Sequence, residues 1–476
     1  MASVAPPRPF TVEFRPHGAV AQMGERRVRN AKVGSSILLG STTPSRAIAD
    51  FPDMHDAPLL AGLKVIDAGS FIAAPAAATV MADLGADVIK LEPPAGDPFR
   101  HLRNAPGNPP CDVDYGWLVD NRNKRGLVLD LKNEAGREVL YRLIRDTDVF
   151  VTNLPLAARE RLGIGYEALA KHNERLVYAS LTAYGERGPE RLNTGFDSTA
   201  LWARSGLMDM VRPTPDSPPV KSLPGMGDHP TAISLYAAIA TALFRRERTG
   251  KGGYVATNLM ANGLWWNALH AQAMLCGAEF ARRPGREDAP SALHNFYRTA
   301  DGRWLQLVVI PEDKRWPQLA RAVGRADLIE DPRFATRPDR HANHRTLIRE
   351  LDAAFATADL ATWRSRLDDH GVAYGVVTTL RDIPKDRQML ESGALAPLDD
   401  PQAGARHVVS SPIWIDGAPR TEPTRAPDIG EHSAEILREH GFSADEIDAL
   451  RESGAIGADT AATPGLAEPS VPADAA

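Results

Sequence analysis

From Leu63 the chain changes hydrophobic period every few residues, and this alternation restricts its fold more than any other feature. Val65-Ile66-Asp67 is a short apolar strand that runs into a loop, and Pro75 opens an Ala-rich helix reaching about Leu84. Gly85 stops that helix, and Val88-Ile89-Lys90-Leu91-Glu92 is a second apolar strand. Such a unit is βαβ, and a helical crossover makes its two strands parallel. Three further apolar runs follow at 127–131, 149–153 and 176–181, spaced by helical segments such as 134–145. Helices on the faces of a mostly parallel sheet are the natural way to bury such strands, so the expected fold class is α/β. A helical pattern over 231–248 closes this part with Arg245, Arg246 and Arg248 in its last turn, where cations suit the helix dipole.

The chain has 476 residues, which at about 150 per domain suggests two or three folded units. Residues 1–56 form an extension unlike the rest, rich in Arg and Pro and without apolar periodicity. It lacks the apolar run of about 7–15 residues that a signal peptide needs. An Arg-rich transit peptide over 26–46 is one reading. Another is an over-long start: 21–26 and 33–37 resemble the conceptual translation of a transfer-RNA gene, with the protein starting near Met54. Peptide mapping that finds earlier residues in the native protein removes that second reading. The first part of a large domain is expected over 57–281, and a smaller mixed domain over 282–400, reached through a polar linker at 282–290. A closing segment spans 401–457, with two Ser-started helices at 433–441 and 443–452. The Ala/Pro/Asp-rich tail 458–476 is expected to be disordered.

Composition excludes several classes of partner. With 43% hydrophobic and 24% charged residues the chain has no stretch near the roughly 20 apolar residues of a membrane helix. A net charge of −6 without a long basic run argues against nucleic acid, so an anionic ligand needs a local cation cluster. Cys111 and Cys276 are too few for a disulfide framework or a zinc site, which fits a reducing cytoplasm.

Ligands of parallel sheets sit at the carboxyl ends of the strands. The loop after the first strand, 68–75, leads to a helix N-terminus able to face an anion but lacks the G-x-G-x-x-G of dinucleotide sites. Arg100, Arg122, Lys124, Arg125, Lys132 and Arg161 lie near the strand ends and together would suit phosphates, although each alone reads more readily as part of a solvated rim. Two acids stand among small residues. Asp197 follows Gly195-Phe196, and Asp228 lies in Pro224-Gly225-Met226-Gly227-Asp228-His229-Pro230, just before the long helix. A carboxylate held there is either a positioned nucleophile or an ordinary helix cap, and spacing alone leaves both open. Neither H-E-x-x-H nor G-x-S-x-G occurs, so no metal ligands and no serine nucleophile are assigned.

Between Leu59 and Ile456 the chain carries Gly62-Leu63-Lys64-Val65-Ile66-Asp67, Ala82-Asp83-Leu84-Gly85-Ala86-Asp87, Asn123-Lys124-Arg125, Leu129-Asp130-Leu131-Lys132, Arg161-Leu162-Gly163, Arg248-Thr249-Gly250-Lys251-Gly252 and Gly430-Glu431-His432. In this order they resemble the class III CoA-transferases, the family of formyl-CoA transferase, carnitine CoA-transferase and α-methylacyl-CoA racemase. The resemblance implies a Rossmann-like large domain, a small domain, a C-terminal return to the large domain, and an interlocked homodimer. It implies coenzyme A as cosubstrate with no permanently bound cofactor, an acyl-CoA and a carboxylic acid as partners, and Asp228 as nucleophile. It further implies CoA contacts at Phe71, Ala73, Leu129, Lys132, Asn153, Leu154 and Arg161, with Leu129 and Leu154 packing on the adenine.

Some positions depart from the family. Ile72 stands where formyl-CoA transferase has Gln, and Phe196 where the racemase branch has a His that takes up a proton. No glycine-rich loop occurs between His294 and Trp304. The reading is a CoA-transferase working through an aspartyl anhydride and an aspartyl-CoA thioester, with backbone N–H groups near Gly227 or the helix start meeting the oxyanion. An α-methylacyl-CoA racemase and a catalytically idle CoA-binding protein are the alternatives. Trp202, Trp265, Trp266, Met208 and Met210 are candidate walls of an acyl pocket.

Overall fold

A computed structural model describes residues 57–100, 108–214, 216–279 and 284–457. The expectations for 1–56 and for the tail 458–476 lie outside the described residues.

The first part is built from β1 (Lys64–Asp67), α1 (Ala73–Asp83), β2 (Asp87–Glu92), α2 (Tyr115–Asn121), β3 (Lys124–Val128), α3 (Glu134–Ile144), β4 (Val149–Thr152), α4 (Leu156–Arg161), α5 (Tyr166–Leu169) and β5 (Val177–Thr182). A π-helical turn Asp197–Ala203, α6 (Leu207–Met210), α7 (Asp228–Thr249), β6 (Gly253–Asn258), α8 (Leu259–Trp266) and α9 (Ala268–Leu275) complete it. The six strands form one parallel sheet in the order β3-β2-β1-β4-β5-β6. This is the strand order of Rossmann folds, in which the direction of winding reverses between β1 and β4 and opens a crevice at their carboxyl ends.

Period-two alternation explains why both faces are covered. Val65, Val88, Val149, Val151, Val177 and Ala179 point into a core with α1 and α7. Their neighbours Ile66, Ile89, Phe150 and Tyr178 point into a second core with Val139, Leu140 and Leu143 of α3. Every residue of the Ala-rich α1 is buried, since small side chains let it lie close between the sheet and α7.

A separate core gathers Leu293, Tyr297, Leu305, Trp316, Leu351 and Trp363. It lies among the antiparallel strands β7 (Phe296–Arg298), β8 (Trp304–Leu307) and β9 (Tyr374–Val376) and the helices α10 (Glu312–Ala322), α11 (Arg337–Ala342), α12 (His344–Phe355) and α13 (Leu360–Asp369). After α14 (Arg387–Glu391) and the antiparallel pair β10 (Leu395–Pro397) and β11 (His407–Val409), the chain reaches α15 (Ser433–Glu439) and α16 (Ala444–Glu452). This last segment covers the outer edge of β3. The His432 N–H donates to the Gly126 carbonyl at 3.0 Å, the Val128 N–H to Ser433 Oγ at 3.2 Å, and the Asp130 N–H to the Ala455 carbonyl at 2.9 Å.

The structure corrects several sequence expectations. β3 begins three residues before the apolar run, because its first residues are Lys124, Arg125 and Gly126. The sixth strand went unread because its residues alternate between exposed and half-buried and include Gly, Thr and Asn. Asn258 caps α8 and Asn267 separates it from α9, dividing what reads as one apolar helix. Ser443 does form a capping box with Glu446, but Ser433 is the buried first residue of α15, whose cap position is His432. Among the described residues no helix is long and apolar enough to cross a membrane.

Candidate active site

The loop from β1 to α1 is fixed from beneath by buried charge. Lys90 Nζ donates to the Gly69 carbonyl at 2.6 Å and to Asp97 Oδ2 at 2.9 Å. The other oxygen of Asp97 accepts from the Phe71 and Phe99 N–H groups. Lys124 Nζ donates to Asp67 Oδ2 and to the carbonyls of Pro75 and Asp120, and Asp67 Oδ1 accepts from the Gly69 N–H. Burial works to raise the Asp67 pKa, but the Lys124 and Lys90 ammoniums beside it outweigh this and hold the carboxyl below the usual carboxylate range. The loop needs this support because Phe71 adopts φ 59°, a left-handed conformation that costs about 1–3 kcal/mol in a residue with a Cβ.

The carboxamide of Asn153, just after β4, ties that strand end to the same loop. Its Oδ1 accepts from the Ser70 N–H and its Nδ2 donates to the Ser70 carbonyl, both at 2.8 Å. Above this support lies a cavity of about 250 Å³ whose wall includes Phe71, Ala73, Asn153, Leu154, Phe196 and Asp228. It opens at the carboxyl ends of β1 and β4, where the direction of winding reverses. Phe71 and Phe196 meet edge to face across 5.8 Å.

Asp228 is the first residue of α7, and its carboxylate makes no capping bond, so the cap reading is corrected: the cap position is Gly227. The Gly227 N–H donates to Asp197 Oδ2 at 3.1 Å, and a Cβ on Gly227 would lie 2.9 Å from Asp197 Cβ and 3.0 Å from a Leu201 methyl. Glycine is required there by close approach, and Asp197 braces the turn that presents Asp228. The Gly227 N–H is therefore engaged, which corrects its expected role toward an oxyanion. Burial raises the Asp228 pKa, the Asp197 carboxylate adds to this, His229 opposes it, and Asp120 adds again, leaving it at about 7.

His229 has an acceptor at each ring nitrogen. Nε2 lies 2.9 Å from Asp120 Oδ1, and Nδ1 lies 3.1 Å from the Gly225 carbonyl. The Gly225 carbonyl only accepts, so Nδ1 donates to it, and Nε2 is paired with Asp120 Oδ1. Burial disfavours the charged ring, but the bond to Asp120 and that carboxylate's charge raise its pKa above the usual histidine value.

The structure divides the expected site residues into three groups. Phe71, Ala73, Asn153, Leu154 and Asp228 surround one cavity. Lys132 and Arg161 lie outside it, exposed after β3 and at the end of α4, and neither cationic head meets an acid among the described residues. Leu129 is corrected: with 1% exposure it belongs to the core beside Ile66 and Leu127, so its side chain has no surface on which an adenine could pack. The other basic residues near the strand ends are spent inside the fold. Arg122 pairs with Asp83, Arg125 with Asp87, and Arg100 with Glu92.

Trp202, Trp265, Trp266, Met208 and Met210 line neither this cavity nor the adjoining one of about 190 Å³ walled by Ile72, Phe99, Tyr115, Val119, Pro224 and His229. The sequence reading missed Arg191, an exposed cation on the wall of the first cavity, because it lies in a polar loop without periodicity. It also missed Asp120 and His229, although a His next to an assigned nucleophile was a signal open to it. Among the described residues no group of three or more His, Cys, Asp or Glu could hold a metal ion.

The chain is similar to known proteins over most of its length. The family description "CoA-transferase family III" matches residues 60–433. The chain is 32% identical to cinnamoyl-CoA:phenyllactate CoA-transferase of Clostridium sporogenes, over 83% of this chain and 96% of that protein. It is 30% identical to formyl-CoA:oxalate CoA-transferase of Streptomyces coelicolor, over 84% of this chain and 100% of that protein. A crystal structure of a CaiB/BaiF family protein from Brucella suis superposes with a TM-score of 0.72 at 30% identity, covering 81% of this chain and 100% of that one.

Proposed function

The chain belongs to CoA-transferase family III and is an acyl-CoA:carboxylate CoA-transferase, and from that premise we propose that Asp228 carries the transfer covalently. The observation supporting this most directly is a half-buried, uncapped carboxylate on the wall of the cavity at the sheet's topological switch point. The Asp228 carboxylate attacks the thioester carbonyl, the C–S bond breaks, and a mixed anhydride forms as CoA thiolate departs. The thiolate then attacks the aspartyl carbonyl, releasing the first acid and leaving an aspartyl-CoA thioester. The acceptor carboxylate attacks that thioester and displaces the thiolate. Attack of the thiolate on the acceptor's own carbonyl releases new acyl-CoA and restores Asp228. No net proton is consumed, and the free energy of the thioester is kept.

Each tetrahedral intermediate bears an oxyanion. The first turn of α1 begins at Ala73 on the same cavity wall, and the N–H groups of Ala73 and Ala74, which have no partner within the helix, are suited to that charge. Phe71 and Leu154 are read as packing against the cofactor, with Lys132 and Arg161 meeting its phosphates. Phe196 at the proton-accepting position disfavours racemisation, because a phenyl ring takes no proton.

The names of relatives span apolar and dicarboxylic acids, so kinship leaves the exchanged acids open. We read 57–281 and 401–457 as a large domain, 282–400 as a small one, and the protein as a homodimer. The dimer is supported by the exposed apolar side chains Leu264, Trp265, Leu269 and Leu275 on α8 and α9. Light scattering that gives the mass of one chain removes the dimer.

Asp228→Ala should abolish exchange, a loss of at least ~10⁴-fold, while acyl-CoA still binds. Hydroxylamine should trap an adduct on Asp228 in the unaltered enzyme. Retained turnover, or an adduct on another side chain, overturns the assignment.

A further inference from the structure

The cavity adjoining Asp228 has a wall whose chemistry selects among carboxylic acids. Ile72 lines both cavities, and the main chain passes from Asp228 in the first to His229 in the second. Phe99, Val119, Tyr115 and Pro224 make the second largely apolar. Its volume of about 190 Å³ compares with the roughly 150 Å³ that takes up a benzene ring in an engineered apolar cavity.

Its charges are equally specific. Neither Arg nor Lys is among the described residues lining it, whereas Asp114 and Asp120 both are. Both ring nitrogens of His229 are already engaged, Nε2 with Asp120 and Nδ1 with the Gly225 carbonyl, so neither is left for a ligand. Asp120 Oδ2 is buried without a hydrogen-bond partner. A second carboxylate entering this space would be desolvated beside an incompletely satisfied acid, with no Arg or Lys among the described lining residues to receive it. An uncharged body loses nothing and gains apolar contact.

We propose that the acid exchanged at Asp228 is a monocarboxylic acid with an uncharged aromatic or branched aliphatic body, and that the cavity walled by Ile72, Phe99, Tyr115, Val119 and Pro224 holds that body. This deepens the reading of Asp228 as nucleophile and rests on it for the placement of the carboxylate.

The test uses the full chain with 3-phenylpropanoate and 4-methylpentanoate on one side and succinate and glutarate on the other, each as CoA acceptor from acetyl-CoA. The expected kcat/KM is at least ~100-fold higher for the first pair. Val119→Trp should raise the KM for 3-phenylpropanoate at least ~10-fold relative to that for propanoate. Equal or greater turnover of the dicarboxylates, or an unchanged KM ratio, overturns the proposal. Calorimetric binding to Asp228→Ala separates the two claims. That variant should bind 3-phenylpropanoyl-CoA at least ~10-fold more tightly than glutaryl-CoA whether or not Asp228 is the nucleophile. Loss of that preference defeats the cavity, whereas a retained preference with full turnover in the variant defeats the nucleophile alone.

Discussion

The cations around the parallel sheet fall into two sets. The inner set, Lys90, Arg122 and Lys124, is buried and bound to Asp97, Asp83 and Asp67. The outer set, Lys132, Arg161 and Arg191, is exposed and meets no acid among the described residues. Lys90 and Lys124 support the β1–α1 loop and Arg122 binds the end of α1 at Asp83; the outer ones remain available to an anion. Spacing along the chain cannot distinguish them, because what separates them is whether an acid from another strand lies within reach.

The sharpest way to break this comparison is to exchange one residue of each set. Lys124→Met should cost about 3–5 kcal/mol of stability, since it leaves Asp67 charged and buried with only Lys90, 3.9 Å away, as counter-ion. Denaturant unfolding measures this, and a loss under ~1 kcal/mol would move Lys124 to the outer set. The doubly altered Lys132→Met, Arg161→Met protein should unfold within ~0.5 kcal/mol of the unaltered one but lose about 1.5–3 kcal/mol of acyl-CoA affinity for each charge-assisted contact removed. An unchanged KM for acyl-CoA would make both residues solvated rim.

The smallest effect concerns the brace behind the nucleophile. Asp228 titrates at about 7, and only its ionised form attacks, so kcat/KM should climb with pH through that value. The Asp197 carboxylate raises this pKa, and Asp197→Asn keeps an oxygen for the Gly227 N–H while removing the charge. The profile should then move to lower pH, with activity at pH 6 up by about threefold. A profile that stays in place while activity falls would leave Asp197 a purely structural role. The same shift affects stability: a carboxyl raised by folding stabilises below about 3.8, and that contribution is lost as the pH rises through about 7.

What the sequence revealed follows burial. β1, β2, β4 and β5 are apolar because both of their faces are covered, so their runs are plain. β6, with one face half exposed, and β3, whose first two residues are charged, break that pattern. Phe71, Ala73, Asn153, Leu154 and Asp228 follow from the family resemblance, and these lie on the loops that the switch point brings together. Leu129 was misread because a motif position does not reveal which way a side chain points. Asp120 and His229 are 109 positions apart, and no periodicity announces that they meet.

The covering of β3 by the segment around His432, Ser433 and Ala455 has a consequence during synthesis. Until the ribosome has released that segment, the outer margin of the nascent sheet presents unpaired N–H and C=O groups, an invitation to cross-molecular strand addition. A message truncated before codon 426 would therefore yield a product that holds Asp228 and both cavities yet is prone to clump, so solubility should collapse before the catalytic residues are lost.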